Sequence, residues 1–569
     1  MKTRPVHAAA LLATLLVACG EKPGERVSGI LITLDTTNRP ALGCYGGRGS
    51  TTPNLDALAR ESLVYDQARA VAPITFPSHT SMLTGLYPIR HRIRDNGLRP
   101  LSPDARTLAE AARDEGYQTA AFVSCLPLSS PFGLTQGFDR YEEPVEKRML
   151  AAKETTESVI AWLKQLDRER PFFLWVHYYD PHAPYQPEQR YLDQVSADGE
   201  AKFPDYLGEI AQMDASIGDL MSHLRASGFL DRSFLAVVAD HGEGLGRHGE
   251  LSHCFLTYDT VIRVPMFFRY PDGYRAGERS DEFVTVADIF PTFVRGLGLG
   301  DAGDVDGLDL YRTEAPTGRG VYFESYAGYL GCGWSPLACW ADPRGTYFHG
   351  TEPELFAPED ENQVRNIVAL EGALARSLRA EIGRIADRPR IGVGTGTLDD
   401  ELKSRIRELG YLAQGDSAEE APHPLAETGL PSPQRHIAEI NPYQTATTLL
   451  LDGKVDEAMA VLQEMVRQTP NNTLATELLG NLFIRKGDNE SAVALLKKTL
   501  ELRPEQLTAV GLLAVALVNL SRHQEALDTY LAGYERWPTD QRFQDGVVEQ
   551  LEALGRHEDA QLFRKKFKP

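Results

Sequence analysis

Asp35 closes the apolar run Ile30-Leu31-Ile32-Thr33-Leu34, and Asp240 closes a second, Phe234-Leu235-Ala236-Val237-Val238-Ala239, with His241 and Gly242 directly after it. Buried parallel strands have this near-continuous apolar character, and open α/β sheets carry their chemistry at strand carboxyl ends. Thr75 opens Thr75-Phe76-Pro77-Ser78-His79, a segment with helical spacing. Two carboxylates, an imidazole and a hydroxyl gathered at one sheet edge would bind a divalent metal and activate an oxygen nucleophile. Asp35, Thr75, Asp240 and His241 are therefore the expected metal ligands, and Thr75 the expected nucleophile. Each has a plainer role to set beside this one: an aspartate after a strand often shapes a turn, and a threonine before a proline often caps a helix. The combination points to a site more strongly than any member does.

Positioning these groups requires a sheet flanked by helices. Ala120-Ala121-Phe122-Val123 and Phe172-Phe173-Leu174-Trp175-Val176 are further strand candidates, preceded by helical patterns over 107–113 and 158–163. This alternation predicts an α/β fold with a doubly wound, mostly parallel sheet. Its expected extent is residues 27–413. Residues 414–434, rich in Gly, Pro, Ser, Glu and Ala, read as an extended, solvated linker.

Beyond the linker, over 435–569, the pattern changes. Pro470, Pro504 and Pro538 recur every 34 residues, as do Ala458, Ala492, Ala526 and Ala560. Gly453, Gly487 and Gly555 keep the same phase, with Ser521 in the remaining slot. A 34-residue period of paired amphipathic helices resembles tetratricopeptide repeats, so an all-α domain of about three repeats is expected. Its concave face would take a protein or peptide partner.

The 569 residues suit several domains, and 42% apolar content is ample for their cores. With 80 Asp and Glu against 59 Lys and Arg, the net charge is −21, which argues against a nucleic-acid surface. Lys2 and Arg4 precede a short apolar stretch over 8–18, which reads as a secretory signal over residues 1–18. Leu16-Val17-Ala18-Cys19 resembles a bacterial lipobox, which would make Cys19 the lipidated mature N-terminus. The protein would then sit in the bacterial cell envelope, lipid-anchored at the periplasmic face or the outer membrane. Of six cysteines, five follow Cys19, an odd number; Cys332 and Cys339 are near enough in sequence to pair.

Several segments together resemble the sulfatase branch of the alkaline phosphatase superfamily. They are Ile30–Asp35, Thr52-Pro53-Asn54-Leu55-Asp56, Pro77-Ser78-His79 through Gly85-Leu86-Tyr87-Pro88, and Gly137-Phe138-Asp139. Asp180-Pro181-His182-Ala183-Pro184-Tyr185, Asp240-His241-Gly242-Glu243, Arg263-Val264-Pro265 and Glu354-Leu355-Phe356 complete the set. One departure is chemical. Sulfatases typically carry C/S-x-P-x-R, whose first residue is oxidised to formylglycine; here the positions read Thr75-Phe76-Pro77-Ser78-His79. Oxidising a threonine would give a ketone, so formylglycine cannot form at Thr75.

The resemblance then implies the threonine-nucleophile members: a metal-dependent hydrolase of phosphate mono- or diesters. The alternatives are a sulfuric ester hydrolase without formylglycine or a phosphoryl-headgroup transferase. Its substrate would be a small, glycan-type or lipid-type ester. It also implies one or two divalent ions, zinc or manganese first, with calcium or magnesium also admissible. The second aspartate often found after the first strand is replaced by Thr36, which weakens calcium. By the same resemblance His182 and His253 act in catalysis or, with Asp180 and Asn96, hold a second metal or the substrate. Asp180 would ligate or orient His182, Asn96 would serve as a donor or merely form an Asn-Gly turn, and His248 is a weaker candidate.

Overall fold

The computed structural model describes residues 26–394 and 421–566, apart from 98, 145–148, 198, 200, 471, 503, 505 and 539. The signal segment 1–18 and Cys19 lie outside the described residues, as does the 414–420 part of the linker. No helix among the described residues is long and apolar enough to cross a membrane.

The strands run β1 (Ser28–Leu34), β2 (Leu63–Arg69), β3 (Gln118–Phe122), β4 (Arg140–Glu142), β5 (Phe172–Tyr178), β6 (Ser233–Ala239), β7 (Met266–Arg269) and β8 (Arg279–Thr285). They form one eight-stranded sheet in the order β4-β3-β5-β1-β6-β7-β2-β8. All pairings are parallel except those of β7, which runs antiparallel to both β6 and β2. The predicted mostly parallel, doubly wound α/β sheet is thus observed. Every residue of β1, β5 and β6 is buried, because helices cover both faces and leave no place for alternating polar residues. A smaller antiparallel sheet, which the sequence pattern did not reveal, contains β9 (Val321–Ser325), β10 (Leu337–Asp342), β11 (Gly345–His349) and β12 (Glu354–Phe356).

The register of the central strands places the chemistry. Leu34 at the end of β1 pairs with Tyr178 of β5 on one side and Ala239 of β6 on the other. Asp35, Asp240 and His177 therefore emerge together at one sheet edge. The backbone locks the arrangement: Asp35 N–H donates to Tyr178 O at 2.9 Å, and Asp240 N–H to Leu34 O at 3.2 Å.

The C-terminal region holds four helix pairs among the described residues, one more than the repeat count suggested. Their second helices begin at Val455, Asn489, His523 and His557, in step with the 34-residue period. Ala458, Ala492, Ala526 and Ala560 are fully buried where helices approach closely. The turn between the helices of each pair is left-handed: Gly453 at φ 76°, Gly487 at 83°, Gly555 at 73°, and Ser521 at 56° in the same slot. Glycine adopts that conformation without a Cβ penalty; serine does not.

The segment read as a solvated linker is seated on the first domain where it is described. Pro422 O accepts from Tyr326 OH at 2.9 Å, Pro431 O from Ser335 N–H at 2.8 Å, and Leu430 O from Thr351 Oγ1 at 2.6 Å. The first repeat helix, Asn441–Leu451, docks likewise, with Ile437, Ile440, Tyr443 and Ala446 continuous with the core of the first domain. Apolar side chains at these positions bury on contact, which outweighs the pull of the Pro- and Ser-rich flanks toward water. Cys332 and Cys339 do not pair with each other: Cys339 lies inside β10 and contacts Thr257 Oγ1 at 3.2 Å, while Cys332 sits in the separate turn Gly328–Cys332.

Candidate active site

Asp35, Thr75, Asp240 and His241 converge with no solvent exposure. The nearest ligand atoms of Asp35, Asp240 and His241 all lie within 4.8 Å of one another, and Thr75 Oγ1 is 3.4 Å from His241 Nε2. His241 Nδ1 lies 3.0 Å from Gly242 O, so Nδ1 carries the proton and Nε2 presents its lone pair to the site. Thr75 is not the helix cap. The N-cap position of Thr75–Thr84 belongs to Ile74, and Thr75 is the first helical residue. Its hydroxyl stands at the positive end of that helix, where a developing negative charge is favoured.

The carboxylates are held but not satisfied. Asp240 Oδ1 accepts from His241 N–H at 2.7 Å and Thr36 N–H at 3.2 Å, which takes a left-handed backbone at Thr36 (φ 43°). Asp240 Oδ2 and both oxygens of Asp35 are buried without a hydrogen-bond partner. Burial raises the pKa of both acids, and the Asp35 charge raises that of Asp240 further. Burial holds His241 neutral. Orphaned, facing carboxylates with a neutral imidazole are costly alone and become favourable around a cation, so the residues present fit a divalent metal.

Two further histidines belong here. His177, on β5, brings Nε2 to 3.3 Å from Asp35 Oδ2, and His79 brings Nδ1 to 3.6 Å from Asp240 Oδ2. His79 Nδ1 also donates to Thr75 O at 2.8 Å, one helical turn back. With Asp240 they form a second compact donor group, and Asp35, Cys125 and His177 a third. Sequence reasoning had read His79 only as a lost arginine and had ended β5 one residue before His177. A polar residue closing an apolar run was the available signal.

His182 and His253 line the solvent side. The His253 ring lies 4.5 Å from that of His241 and 5.2 Å from that of His182. His253 Nδ1 pairs with Glu243 Oε1 at 3.1 Å, a contact that helps hold the imidazole cationic, with Cys254, against the opposing effect of burial. Glu243, quoted in a motif but given no role, also accepts from Tyr185 OH at 3.0 Å. His182 is pushed down to about 4, mainly by burial, and its Nδ1 is engaged with Tyr179 OH and Ala183 O.

Asp180 does not orient His182. Its Oδ2 accepts from Ala152 N–H at 3.0 Å, at the start of the Ala152–Leu163 helix, and its Oδ1 from Gln212 Nε2 at 3.3 Å. Asn96 Oδ1 accepts from Phe76 N–H at 2.8 Å, leaving its buried Nδ2 without a partner beside Thr75. His248 stacks on Tyr258 at 3.6 Å, apart from the cluster.

Comparison with known proteins agrees with the fold. The sulfatase family model matches residues 29–299 and a tetratricopeptide-repeat model matches 477–541. An N-acetylglucosamine-6-O-sulfatase of Bacteroides thetaiotaomicron is 23% identical over 449 residues, 57% of this chain and 79% of the relative. Human arylsulfatase A is 26% identical over 376 residues, 54% and 71% of the two chains. A structure solved with its substrate D-glucosamine-2-N,6-O-disulfate superposes with a TM-score of 0.57 at 20% identity, covering 63% of this chain and 98% of that one. The phosphonate monoester hydrolase of Agrobacterium radiobacter gives 0.53 at 20% identity, covering 63% and 95%. Residues 29–299 thus form a domain similar to the sulfatase family, followed by helix pairs similar to tetratricopeptide repeats.

Proposed function

We propose that the domain hydrolyses esters of a small tetrahedral oxyanion, with Thr75 as nucleophile and a divalent metal held by Asp35, Asp240 and His241. The observation carrying this reading is the pair of orphaned carboxylates beside a buried helix-terminal hydroxyl. Bound there, the ion would supply Lewis-acid charge that acidifies the hydroxyl and offsets the ester oxygens. Thr75 Oγ1 attacks the central atom as the bond to the leaving ester oxygen breaks; the threonine proton passes to solvent, the His253 cation supplies one to the leaving alcohol, and water then cleaves the Thr75 ester to release the acid. The His253 cation, kept in place by Glu243, faces the ester oxygens, and Asn96 Nδ2 donates to the transferred group. Imidazole beside carboxylate suits zinc or manganese.

The relatives, mostly sulfatases, support sulfate as the ester group. A specific observation favours a second reading, phosphate: Thr75 cannot become formylglycine, and a plain alkoxide is the usual route to a phospho-enzyme. Rates on 4-nitrophenyl sulfate and 4-nitrophenyl phosphate, with and without added zinc or manganese, separate the two. Thr75→Ala should lower turnover of the preferred ester about 10³-fold or more. Full activity in that variant would remove Thr75 from the mechanism. The signal segment and Cys19 support an envelope location by lipid anchor, and the repeats support a protein or peptide partner.

A further inference from the structure

The first repeat helix does more than begin the stack. Asn441–Leu451 lies across the solvent side of the site and is tied to both rims. Asn441 Nδ2 donates to Gly249 O at 2.9 Å, and Gln444 Nε2 approaches His253 O at 3.5 Å. On the other rim, Gln186 Nε2 donates to Asp452 Oδ1 at 3.1 Å. Between helix and site lies a cavity of about 330 Å³, bounded inside by His182 and His253 and outside by Gln444, Thr448 and Asp452. That volume suits a small molecule. From His253 it is one ring to His241, and from His241 Nε2 3.4 Å to Thr75 Oγ1.

The chemistry of the outer wall is one-sided. Gln444 Oε1 is buried and has no partner. The Thr445 and Thr448 hydroxyls each donate to a carbonyl one turn back, at 3.0 Å, so they present lone pairs to a ligand. The Asp452 charge is already paired with Lys454 at 3.1 Å, so the wall accepts hydrogen bonds without calling for a cation. The Tyr185 ring also lines the space, its hydroxyl fixed on Glu243. Acceptors on one side and an aromatic face on another match a ligand rich in hydroxyl donors with apolar C–H edges.

From this we infer that the first repeat helix completes a leaving-group subsite for a sugar, making the repeat domain part of the substrate-binding site. The inference rests on the ester-hydrolase reading for its location but not for its binding chemistry. The probes are glucose 6-sulfate, glucose 6-phosphate, the two 4-nitrophenyl esters, the ethanolamine ester of phosphate, and free glucose, all with the full chain. Gln444→Met and Thr448→Val should raise KM for the sugar ester about tenfold more than KM for the aryl ester, one lost hydrogen bond each, with kcat little changed. Equal effects on both esters, or a preference for the ethanolamine ester over the sugar ester, would overturn the subsite.

If the parent protein cleaves none of these esters, the hydrolase reading fails, and calorimetry of free glucose then decides the subsite. Binding to the parent that weakens in both variants supports it. No binding to the parent refutes it. Circular dichroism of each variant identifies a fold defect, and Thr448→Val, which removes only a hydroxyl from a half-buried position, stands as the second variant.

Discussion

The two halves of the molecule treat buried polar groups in opposite ways. Within the repeats, local rules are met nearly everywhere: alanine where helices touch, glycine where the turn is left-handed, and buried side-chain orphans, among the described residues, only at Gln444 and Gln506. At the carboxyl edge of β1, β5 and β6 the rules are broken together. Asp35, Asp240, His79 and His177 are buried with unsatisfied atoms, and Thr36 is strained. A fold tolerates such concentrated violation where a ligand is meant to resolve it. The lesson extends to Gln444. It is an exception inside the well-behaved half, and it faces the site of the other half.

The contrast can be pressed hardest at Asp35. Asp35→Asn should cut ester turnover about 10³-fold and lower bound metal measured by plasma emission, while raising the melting temperature of metal-free protein at neutral pH, because a carboxylate that burial forces to take up a proton is gone. Unchanged metal content and rate would mean that the orphaned carboxylates hold nothing. The converse change belongs in the repeats. Ala492→Leu should cost about 1–3 kcal/mol by overpacking a fully buried position, read by urea denaturation of the helical signal, with turnover near the parent value. A parallel loss of turnover would show that the stack beyond the first pair also supports the site.

A third measurement tests how far the strain spreads around the site. Glu250 is fully buried; its two oxygens accept from Phe255 and Leu256 N–H, and burial raises its pKa to about 8. In the unfolded chain it ionises near 4.5, so between roughly pH 4.5 and 8 the folded state holds the extra proton, and stability falls as pH rises. Glu250→Gln should flatten that decline in melting temperature; an unaltered slope would assign the pH dependence to other groups. The smallest expected effect is Ser521→Gly, which should stabilise the repeats by about 0.5–1 kcal/mol by relieving the one non-glycine left-handed turn of its series. Destabilisation would mean that the serine hydroxyl has a role there.

The sheet and its site were legible because burial on both faces forces long apolar runs, and each run announced its own end at Asp35 and Asp240. The repeats were legible from their period. What escaped was lateral. His177 and His79 take their meaning from register and helix pitch, which bring residues distant in sequence to one point. Asp180 looked like a ligand because it precedes a histidine, yet its carboxylate turns toward the Ala152–Leu163 helix and Gln212. The docking of Asn441–Leu451 was hidden for the same reason: a 34-residue rhythm describes neighbours along the stack and says nothing of what lies beside its first member.

That docking decides where the polypeptide can be divided. A cut after Gln434, at the compositional border, would strip Ile440 and Tyr443 from the hydrolase and leave an oily scar near its mouth. Past Leu502 the helices pack in clusters of their own, so whole pairs can be added or removed there without disturbing that seam. Variation in the length of the tail can then proceed by adding or deleting pairs at the far end, while the first two pairs stay bound to the enzyme they cover.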